Sequence, residues 1–455
     1  MTTKLTVVFY GAVRSVTGSN FLVAGSSQKM LIDCGMFQGS TFCDKANHEP
    51  FPYDPSAIDM LIVTHAHIDH IGRIPKLCHD GFHGKIYSTP ATKDLAEYML
   101  LDSLSVFEKE SKQTGARPLF SKADIETALS LWEGIPYHKE KTFDDGCTFM
   151  LRDSGHILGS AMVDIACGHG HLIFTGDLGN SPSPLLHDAE VIHDATYLVI
   201  DSVYGDRLHT DAPERREQLE DIIEETVARG GTLVIPAFSL ERTQILLYEI
   251  NNLMEGGRIP KVPVFVDSPL AIRITEVYRK YKGELNEAVQ EAERRGDDIF
   301  SFPKLTFTEE VAESHAIAHA PNPKIIIAGA GMSYGGRILD HEKLYLPDPK
   351  STLLIVGYQA AGSIGRLLQE GAKKVRLQGE DIPVRASVKT ISGYSGHRDS
   401  KGLLDFVEGN ADTLRKVFSV AGEEKSSSFL VQRIRDYLGV DALVPEQGKT
   451  YELEF

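Results

Sequence analysis

One histidine-rich stretch constrains this chain more than any other feature of its sequence. It reads Thr-His-Ala-His-Ile-Asp-His over residues 64–70 and directly follows a short apolar run. If that run is a β-strand, the stretch lies in the loop beyond its carboxyl end, and His65 and His67 can point the same way. They could then offer imidazole nitrogens to one zinc ion, with Asp69 and His70 in reach of a second. The alternative is a polar loop that is merely rich in histidine, but three of the chain's 17 histidines within six positions argue against it.

Two later positions could complete such a metal site. His156 lies in the loop sequence Asp-Ser-Gly-His-Ile-Leu-Gly, and Asp177 follows an apolar run in the sequence Phe-Thr-Gly-Asp-Leu-Gly. Taken alone, each has an ordinary explanation, because a loop histidine is usually exposed and an aspartate after a strand usually forms a turn. Their interpretation as ligands therefore depends on the 64–70 stretch.

Composition narrows the class of protein. A chain of 455 residues predicts more than one domain or one large elaborated domain, and its 42% hydrophobic content is that of a globular protein. We expect no membrane span, because no apolar run reaches about 18 residues, and no signal peptide. The five cysteines are an odd, scattered set without a Cys-x-x-Cys pair. They predict neither a disulfide framework nor a cysteine zinc site, and a reducing, cytoplasmic compartment fits them best.

The net charge of −17 bears on nucleic-acid partners. It argues against a non-specific nucleic-acid coat protein, whose surface would be basic. It leaves a nuclease open, because catalytic carboxylates add negative charge and a local basic groove can lie on an acidic body. A generic acidic surface that keeps the protein in solution explains the charge equally well.

The pattern of apolar runs changes twice along the chain. Residues 1–208 read mostly as short β-strands, with a helix predicted from Pro90 to about Lys112. Residues 209–377 alternate strands such as Thr232–Pro236 with amphipathic helices, which predicts βαβ units and a mostly parallel sheet. Residues 378–455 return to β segments and end with helices and strands. We therefore expect an α/β protein with a second α/β domain in the middle of the chain.

The candidate ligands and one earlier aspartate resemble, in chain order, the site of the metallo-β-lactamase fold: Asp33, His65, His67, Asp69, His70, His156 and Asp177. The resemblance implies an αββα sandwich in which His65, His67 and His156 hold one zinc ion. Asp69 and His70 would hold a second zinc ion, with Asp177 bridging the two. Asp33 would orient a ligand histidine through a hydrogen bond.

Further motifs cover the rest of the chain: Asp201-Ser202-Val203-Tyr204-Gly205-Asp206-Arg207, Pro236-Ala237-Phe238 with Arg242-Thr243-Gln244, Gly331-Met332 with Gly335-Gly336-Arg337, Gly357-Tyr358-Gln359-Ala360 with Gly362 and Gly365-Arg366, and Ser395-Gly396-His397-Arg398-Asp399. Together they resemble prokaryotic β-CASP ribonucleases, kin of the nuclease that cleaves pre-mRNA 3′ ends and of RNase J. The resemblance implies a β-CASP domain over 209–377, inserted in a metallo-β-lactamase domain formed by 1–208 and 378–455.

By the same resemblance, the chain would hydrolyse phosphodiester bonds of single-stranded RNA. Asp69, Asp201 and His397 would be catalytic. Two metal ions can activate a water and stabilise the charge that builds on the phosphate. His397 would donate a proton to the leaving 3′ oxygen, and Asp201 would be paired with it and keep it protonated. The alternative for His397 is a histidine in a polar turn.

Four further positions are candidates for substrate binding: Gly336, Arg337, Arg366 and Ser395. The two arginines and the glycine-rich turn could contact phosphate, and Ser395 belongs to the motif around His397. Helix starts packed closely on strands explain the glycines and arginines equally well.

One position departs from the family pattern. RNA-cleaving members have His-Gly-Glu after a late apolar strand, and that histidine completes the second zinc site. Here Ala421 stands where the histidine is expected, and a methyl group cannot bind metal. Three explanations are open: a weak second zinc site, a natural relative with little or no activity, or an engineered substitution.

The sequence therefore leaves competing functions. A zinc-dependent ribonuclease accounts for the motifs best. An RNA-binding relative with impaired catalysis accounts for Ala421. A small-molecule hydrolase such as a thioesterase or lactonase leaves the 209–377 insertion unexplained. Endonuclease or 5′-exonuclease action is undecided, and a homodimer, if one forms, is expected to use the domains already present.

Overall fold

The computed structural model describes residues 4–39, 41–143, 146–209, 212–333, 335–357, 359 and 362–455. Contacts divide the chain into two compact units. The first comprises Met1–Ser183, His187–Leu208 and His397–Phe455, and the second comprises Pro184–Leu186 and His209–Gly396. A unit made of separated chain segments is what an inserted domain produces.

The strands of the described residues are, in chain order, β1 (Lys4–Phe9), β2 (Phe21–Ala24), β3 (Lys29–Ile32), β4 (Met60–Ile62), β5 (Lys85–Ser88), β6 (Trp132–Gly134), β7 (Lys141–Thr142), β8 (Thr148–Asp153), β9 (Ala161–Cys167), β10 (Gly170–Phe174), β11 (Ala195–Asp201), β12 (Thr232–Pro236), β13 (Val264–Asp267), β14 (Leu305–Phe307), β15 (Lys324–Ala328), β16 (Thr352–Ile355), β17 (Lys374–Leu377), β18 (Glu380–Pro383), β19 (Ser387–Thr390), β20 (Lys416–Val420), β21 (Ala442–Leu443) and β22 (Thr450–Glu454).

The helices are α1 (Thr41–His48), α2 (Ile68–Ile71), α3 (Ile74–His79), α4 (Pro90–Thr114), α5 (Lys122–Leu131), α6 (Ala212–Ala228), α7 (Arg242–Glu255), α8 (Pro269–Lys280), α9 (Glu287–Arg294), α10 (Val311–Ile317), α11 (Ile338–Tyr345), α12 (Ile364–Gln369), α13 (Ser400–Glu408) and α14 (Glu424–Arg433). Short 3₁₀ turns cover Pro55–Ala57, Lys282–Glu284 and Ser392–Tyr394, and a turn of π-helix, Ile434–Leu438, extends α14. No helix among the described residues is both long and apolar enough to cross a membrane.

The first unit is the predicted αββα sandwich. One sheet has the order β22-β1-β2-β3-β4-β5-β6, and the other has the order β21-β20-β11-β10-β9-β8-β7. Apolar side chains from both sheets fill the space between them. Helices cover the two outer faces: α4 and α5 pack against the first sheet, and α13 and α14 pack against the second.

The start of α4 shows how local sequence sets these elements. Thr89 precedes the helix with extended backbone, and its side chain accepts a hydrogen bond from the backbone N–H of Thr92. Pro90 occupies the first turn, where its missing N–H is not needed. The helix ends at Gly115, whose φ of +76° suits a glycine. The predicted helix from Pro90 to about Lys112 is therefore confirmed.

The second unit is built on a parallel sheet with the order β14-β13-β15-β12-β16-β19. All of its strand pairs run parallel, as the alternation of strands and helices predicts. Val234, Ile326 and Leu353 on its central strands pack against helices α11 and α12. Strands β17 and β18 form a separate antiparallel hairpin.

The second unit extends further along the chain than the sequence pattern places it. The expected return to the first domain lay at residue 378, whereas the contacts assign residues up to Gly396 to the second unit. Strand β19 is the physical reason, because it pairs parallel with β16 at the edge of the second unit's sheet. The residue composition of a short segment can predict that it is a strand, but it cannot predict which sheet the strand joins.

The structure contains a disulfide that the sequence analysis does not predict. Cys147 and Cys167 are joined with their Cα atoms 4.6 Å apart. They lie just before β8 and at the end of β9, which pair antiparallel, so the hairpin brings together residues separated by 20 positions. The pairing was invisible in an odd, scattered set of cysteines because it depends on strand register. Cys34 and Cys78 are free and buried.

We expect Phe9→Ala to lower the free energy of unfolding by ~3–5 kcal/mol. Phe9 on β1 is fully buried, and its ring centroid lies 5.3 Å from that of Phe418 on β20, in the opposite sheet. The substitution therefore leaves a cavity between the two sheets. Urea unfolding followed by circular dichroism measures the loss. Val191→Ala, at a side chain that is 70% exposed, is the control and should change stability little; equal effects of the two variants would contradict the assigned core.

Candidate metal centre

The predicted site residues of the first unit lie where strands end. Strands β3 and β4 run parallel in one sheet, and β10, β11 and β20 run parallel in the other. Parallel strands bring their carboxyl ends to the same edge of a sheet, where α/β proteins commonly place their sites. The residues at or just after these ends are Asp33 (β3), the 64–70 stretch (β4), Asp177 (β10), Asp201 (β11) and Ala421 (β20).

A glycine allows two of these loops to approach each other. Gly176 has a φ of +55°, a conformation that side chains disfavour. A Cβ atom there would lie 2.8 Å from the Cβ of Thr64. The Thr-Gly-Asp sequence therefore brings Asp177 next to the histidine-rich stretch in a way that a larger residue would obstruct.

Four predicted ligands converge on one point. The nearest side-chain donor atoms of His65, His67, His156 and Asp177 all lie within 4.8 Å of one another. Nδ1 of His67 is 3.1 Å from Nε2 of His65 and 3.2 Å from Nε2 of His156. Both of those Nε2 atoms lie 3.5 Å from Oδ2 of Asp177. Three imidazoles and a carboxylate at these separations are a donor set that suits a divalent transition metal.

Burial and charge support the same interpretation. Burial lowers the pKa of His65 well below its usual range, and the neighbouring histidines lower it further. This keeps the imidazole neutral, which is the form that binds metal. Burial also raises the pKa of Asp177 to about 7. Its Oδ1 is buried without a hydrogen-bond partner among the described residues. A cation is the group that would satisfy this oxygen and favour its charge.

Asp33 and Thr64 form a buried network behind the ligands. Oδ2 of Asp33 lies 2.6 Å from Nδ1 of His70, so the other nitrogen of that ring faces the centre. The Thr64 hydroxyl donates to the same Asp33 oxygen at 2.9 Å and lies 3.0 Å from Nδ1 of His65. The predicted partner Asp33 is thus beside a histidine. No role was predicted for Thr64, although it is the first residue of the histidine-rich stretch.

Asp69 and His70, the two residues expected to hold a second ion, do not both lie beside Asp177. Nε2 of His70 lies 3.6 Å from Oδ1 of Asp177, so these two residues face one another. Burial lowers the pKa of His70, but Asp177 and Asp33 outweigh that effect and raise it to about 10. Asp69 does not belong to either convergent group of donor atoms found in the described part of the chain. The structure therefore assembles the first metal site more completely than the second.

His397 and Asp201 adjoin the ligands. Together with Asp177 they form a second group whose donor atoms lie within 4.8 Å of one another. Nδ1 of His397 is 3.7 Å from Oδ2 of Asp177, and its ring centroid is 4.7 Å from that of His156. The next residue, Arg398, donates its backbone N–H to the carbonyl oxygen of Leu178, which fixes the loop beside Asp177. Burial raises the pKa of Asp201 well above its usual range, and Asp177 adds to this rise.

Ala421 lines a small cavity beside the centre. The cavity wall includes Thr64, His70, Asp177 and Ala421, together with apolar side chains of both sheets. Ala421 is buried, has a φ of +48°, and donates its backbone N–H to the carbonyl oxygen of Ala12. The position that would carry a further histidine in the family therefore opens onto space next to two of the predicted ligands.

The substrate-binding candidates of the second unit have internal partners. Arg337 forms an ion pair with the fully buried Asp267, at 2.7 Å, and donates to the carbonyl oxygens of Thr308 and Glu309. Arg366 pairs with Glu370 at 2.6 Å. These contacts match the packing alternative for the two arginines, and Arg337 keeps 20% side-chain exposure.

Backbone geometry explains why a third candidate, Gly336, is a glycine. It has a φ of +75°, and a Cβ atom there would lie 2.4 Å from the carbonyl oxygen of Gly329. Ser395 is buried. Of the motif residues, Tyr358 and Ala360 lie outside the described residues.

Asp267 is a residue that sequence reasoning missed. It also accepts hydrogen bonds from Ser314 at 2.6 Å and Thr308 at 2.7 Å, and lies 2.7 Å from Nε2 of His341. These bonds hold the pKa of Asp267 well below its usual range, although burial opposes them. An aspartate ending a strand is an ordinary turn former in the sequence, so its network could not be predicted.

Family models match three segments of the chain. The metallo-beta-lactamase superfamily matches residues 14–237, the Beta-Casp domain matches 243–368, and the Zn-dependent metallo-hydrolase RNA specificity domain matches 381–445. Their order is that of a β-CASP domain inserted in a metallo-β-lactamase fold, as the sequence motifs imply.

Curated proteins that are similar to this chain belong to the same family as these models indicate. A ribonuclease of Thermus thermophilus is 37% identical over 92% of this chain and 93% of its own length. An RNase J-like protein of Methanocaldococcus jannaschii is 31% identical over 97% of this chain and 98% of its own. The transcription termination factor FttA of the same organism is 32% identical over 96% of this chain and 70% of its own. The chain belongs to the metallo-β-lactamase/β-CASP ribonuclease family.

A solved structure supports the fold alone. A crystal structure of a protein of unknown function from Enterococcus faecalis is similar to this chain with a TM-score of 0.55. It covers 99% of this chain and all of that protein at 11% identity. The similarity therefore spans both units of the chain and says nothing about chemistry.

We expect Thr64→Val to weaken divalent metal binding by ~10–100-fold. The variant keeps the shape of the side chain but removes the hydroxyl that contacts Asp33 and His65, so the ligand rings lose their orientation. Competition with a chromogenic chelator measures the affinity. Thr64→Ser, which keeps the hydroxyl, should bind metal as the parent chain does. Equal affinities of the valine and serine variants would show that the hydroxyl has no such role.

Proposed function

We propose that this chain is a zinc-dependent ribonuclease that hydrolyses phosphodiester bonds of single-stranded RNA. The observation that carries the proposal is the convergence of His65, His67, His156 and Asp177 on one buried point, with His397 beside Asp177. Relatives named as a ribonuclease and as an RNase J-like protein favour RNA among the substrates that this fold can accept. An activity in the cytoplasm and a homodimer stay predictions.

Zinc suits the donor set because it readily takes imidazole nitrogens and a carboxylate in low coordination numbers. His65, His67 and His156 would hold the first ion, and Asp177 would bridge it to a second one near Asp69 and His70. Bound zinc would supply an activated water and neutralise charge on the phosphate. The buried hydrogen bond that Nδ1–H of His70 donates to Asp33 would hold the His70 ring in position for this task.

His397 would move the proton that the leaving group needs. Its ring is only partly buried, with 20% side-chain exposure, so substrate can reach it. Asp201 is fully buried nearby and lacks a hydrogen-bond partner for Oδ2 among the described residues. Burial raises the pKa of Asp201, so this oxygen would hold the imidazolium form of His397 only when a cation beside Asp177 favours the ionised carboxylate. Arg337, Gly336, Arg366 and Ser395 remain the proposed contacts to the RNA backbone.

Cleavage of end-labelled single-stranded RNA tests the function. We expect cleavage that requires zinc, stops with chelator, and is lost in His65→Ala together with the bound metal. Duplex RNA and single-stranded DNA serve as comparison substrates. A zinc-loaded chain that leaves single-stranded RNA intact, even after Ala421→His, would refute the proposal. The ladder of products separates internal cutting from trimming at the 5′ end.

Ala421→His should restore a ligand to the second metal site. The cavity beside Ala421 adjoins His70 and Asp177, and histidine tolerates a positive φ better than most residues. We expect one further zinc ion per chain by elemental analysis and RNA cleavage faster by ~10-fold or more. Ala421→Phe is the matched control, since it fills similar space without a donor. An equal gain in the phenylalanine variant would mean that packing, and not metal, is responsible.

Ala421 also favours a second candidate function, an RNA-binding relative with impaired catalysis. Under that alternative the parent chain would bind RNA and leave it uncut in saturating zinc, and Ala421→His would restore cutting. Cleavage by the parent chain at a rate close to that of the Ala421→His variant would exclude it.

We expect His397→Gln to lower kcat on RNA by ~10²–10⁴-fold while the bound metal and KM change little, because a general acid acts on the leaving group. Hydrolysis of bis(p-nitrophenyl) phosphate should fall far less, since nitrophenolate leaves without a proton. His315→Gln, at an exposed histidine of α10, is the control. A matching loss of metal in His397→Gln would assign His397 to metal binding instead.

A further inference from the structure

Two exposed aromatic rings lie on one helix of the first unit. Among the large apolar side chains that are exposed in the described part of the chain, the aromatic ones are Phe429 and Tyr437. Phe429 is 45% exposed and Tyr437 is 72% exposed. They lie on α14 and on the π-helical turn that continues it. The other exposed apolar side chains are valines and leucines on separate segments, so this pair is a local feature.

The helix has one buried face and, on its other side, a stripe in which Lys425, Phe429 and Tyr437 are exposed and Arg433 is half-buried. The buried face consists of Ser426, Ser427, Leu430, Val431 and Ile434. On the other side, residues at four-residue intervals lie one turn apart along the helix. We call these residues the α14 stripe: Lys425, Phe429, Arg433 and Tyr437. Four residues exceed one α-helical turn, so side chains at this spacing rotate gradually around the helix. The wider π-turn at Ile434–Leu438 counteracts this rotation and keeps Tyr437 close to the same side as Phe429.

Cations alternate with rings along the α14 stripe. The Arg433 guanidinium lies 5.5 Å from the ring centroid of Tyr437, and its Nη1 donates to the Ser400 hydroxyl at 3.0 Å. Lys425 is 86% exposed and forms an ion pair of 3.3 Å with Asp206. The sequence of groups is therefore positive charge, ring, positive charge, ring.

The acidic residues on the same helix already have partners. Glu424 lies 3.7 Å from Arg14 in an exposed ion pair. Asp436 accepts hydrogen bonds from Gln432 at 2.9 Å. Of these two carboxylates, Glu424 faces a positive charge, whereas the partner of Asp436 is a neutral amide.

We propose that the α14 stripe binds single-stranded RNA. This inference rests on the proposed function and adds a site for the strand outside the metal centre. Bases would stack on Phe429 and Tyr437, which works for any base because each has a π-face. Lys425 and Arg433 would contact phosphates. Eight residues of helix place the two rings ~12 Å apart. A stacked strand rises ~3.4 Å per nucleotide, so the rings would take bases three to four nucleotides apart.

The helix begins at the metal centre. Glu423 precedes α14 directly, two residues after Ala421. The Ser427 hydroxyl lies 2.8 Å from that of Ser202, which adjoins Asp201. Arg433 reaches Ser400, three residues beyond His397. An RNA strand with one phosphate at the metal centre could therefore continue along the α14 stripe.

RNA fits this surface better than a second copy of the chain. Aromatic residues and arginine are enriched at the core of protein interfaces, but lysine is depleted there, so it is Lys425 and not the rings that distinguishes this stripe from a contact between copies. Cations interleaved with rings are the features by which proteins hold single strands. The segment matched by the RNA specificity domain, residues 381–445, contains the whole helix. These observations favour single-stranded RNA over a second copy of the chain as the ligand of the α14 stripe.

Ring removal tests the proposal directly. Fluorescence anisotropy of a short labelled single-stranded RNA, with chelator present to prevent cutting, gives the affinity. We expect Phe429→Leu/Tyr437→Leu to bind at least ~25-fold more weakly, about 5-fold for each stacked base. The matched variant Phe429→Tyr/Tyr437→Phe keeps both rings and should stay within ~2-fold of the parent chain. Val191→Ala controls for the loss of exposed apolar surface, and urea unfolding checks that all variants are folded.

Charge gives a second measurement. Lys425→Gln should reduce the slope of log affinity against log salt by ~0.7, the value for one phosphate contact on a single strand. An unchanged slope would remove Lys425 from the site. Equal affinities of the leucine and ring-retaining variants would overturn the proposal. So would a change of the leucine variant from dimer to monomer with unchanged RNA affinity, since the stripe would then be a contact between copies.

Cleavage separates this proposal from the proposed function. If the leucine variant cuts RNA with the kcat of its parent but a higher KM, both proposals are supported. Cutting with unchanged KM would overturn the α14 stripe and leave the nuclease intact. Ring-dependent binding without any cutting would support the stripe and count against the nuclease. A parent chain that neither binds nor cuts RNA would overturn both.

Discussion

The burial of Asp177 against imidazole rings is the constraint on which the rest of the site depends. Its carboxylate lies 3.5–3.7 Å from nitrogens of His65, His70, His156 and His397, while Oδ1 has no hydrogen-bond partner among the described residues. A buried charge without compensation is costly. His70 supplies part of this compensation, because burial lowers its pKa but Asp177 and Asp33 outweigh burial and raise it to about 10. At His65, by contrast, burial opposes a charged ring. A bound cation resolves the conflict at once, because it favours both the ionised carboxylate and neutral imidazoles.

The backbone explains why these side chains meet. The 64–70 stretch and Asp177 follow strands that pair parallel with a neighbour, and this pairing aligns their carboxyl ends with those of β3, β11 and β20. His156 follows β8, which pairs antiparallel with β9. Gly176 removes the one side chain that would separate the Asp177 loop from Thr64. The second row of residues then limits ring rotation, since Asp33 holds His70 and Thr64 touches His65. Packing and the hydrogen bonds behind the rings therefore orient the predicted ligands.

Local patterns predicted most of this arrangement. Spacing within the 64–70 stretch indicated a metal site, apolar runs indicated the strands before it, and the alternation after residue 208 indicated a parallel sheet. Features that depend on pairing between distant segments could not be predicted from the sequence. Strand β19 has the composition of any short strand, so its place beside β16 was not visible, and neither was the register that joins Cys147 to Cys167. Arg337 was chosen for its charge, but its partner Asp267 lies 70 residues away.

Ala421 shows how the metal centre and the α14 stripe differ in what they demand. A metal ligand must place one donor atom at one point, and the methyl group of Ala421 offers none to the cavity that it lines with His70 and Asp177. Stacking on an exposed ring tolerates any base and needs little exactness, so the stripe can function whether or not the second metal is held. Phe429 and Tyr437 are 45% and 72% exposed, so either ring can be replaced without opening a cavity in the core. The two features therefore make separable demands on the chain: Ala421 can be replaced without touching a ring of the proposed stripe, and the two rings can be replaced without touching a predicted ligand.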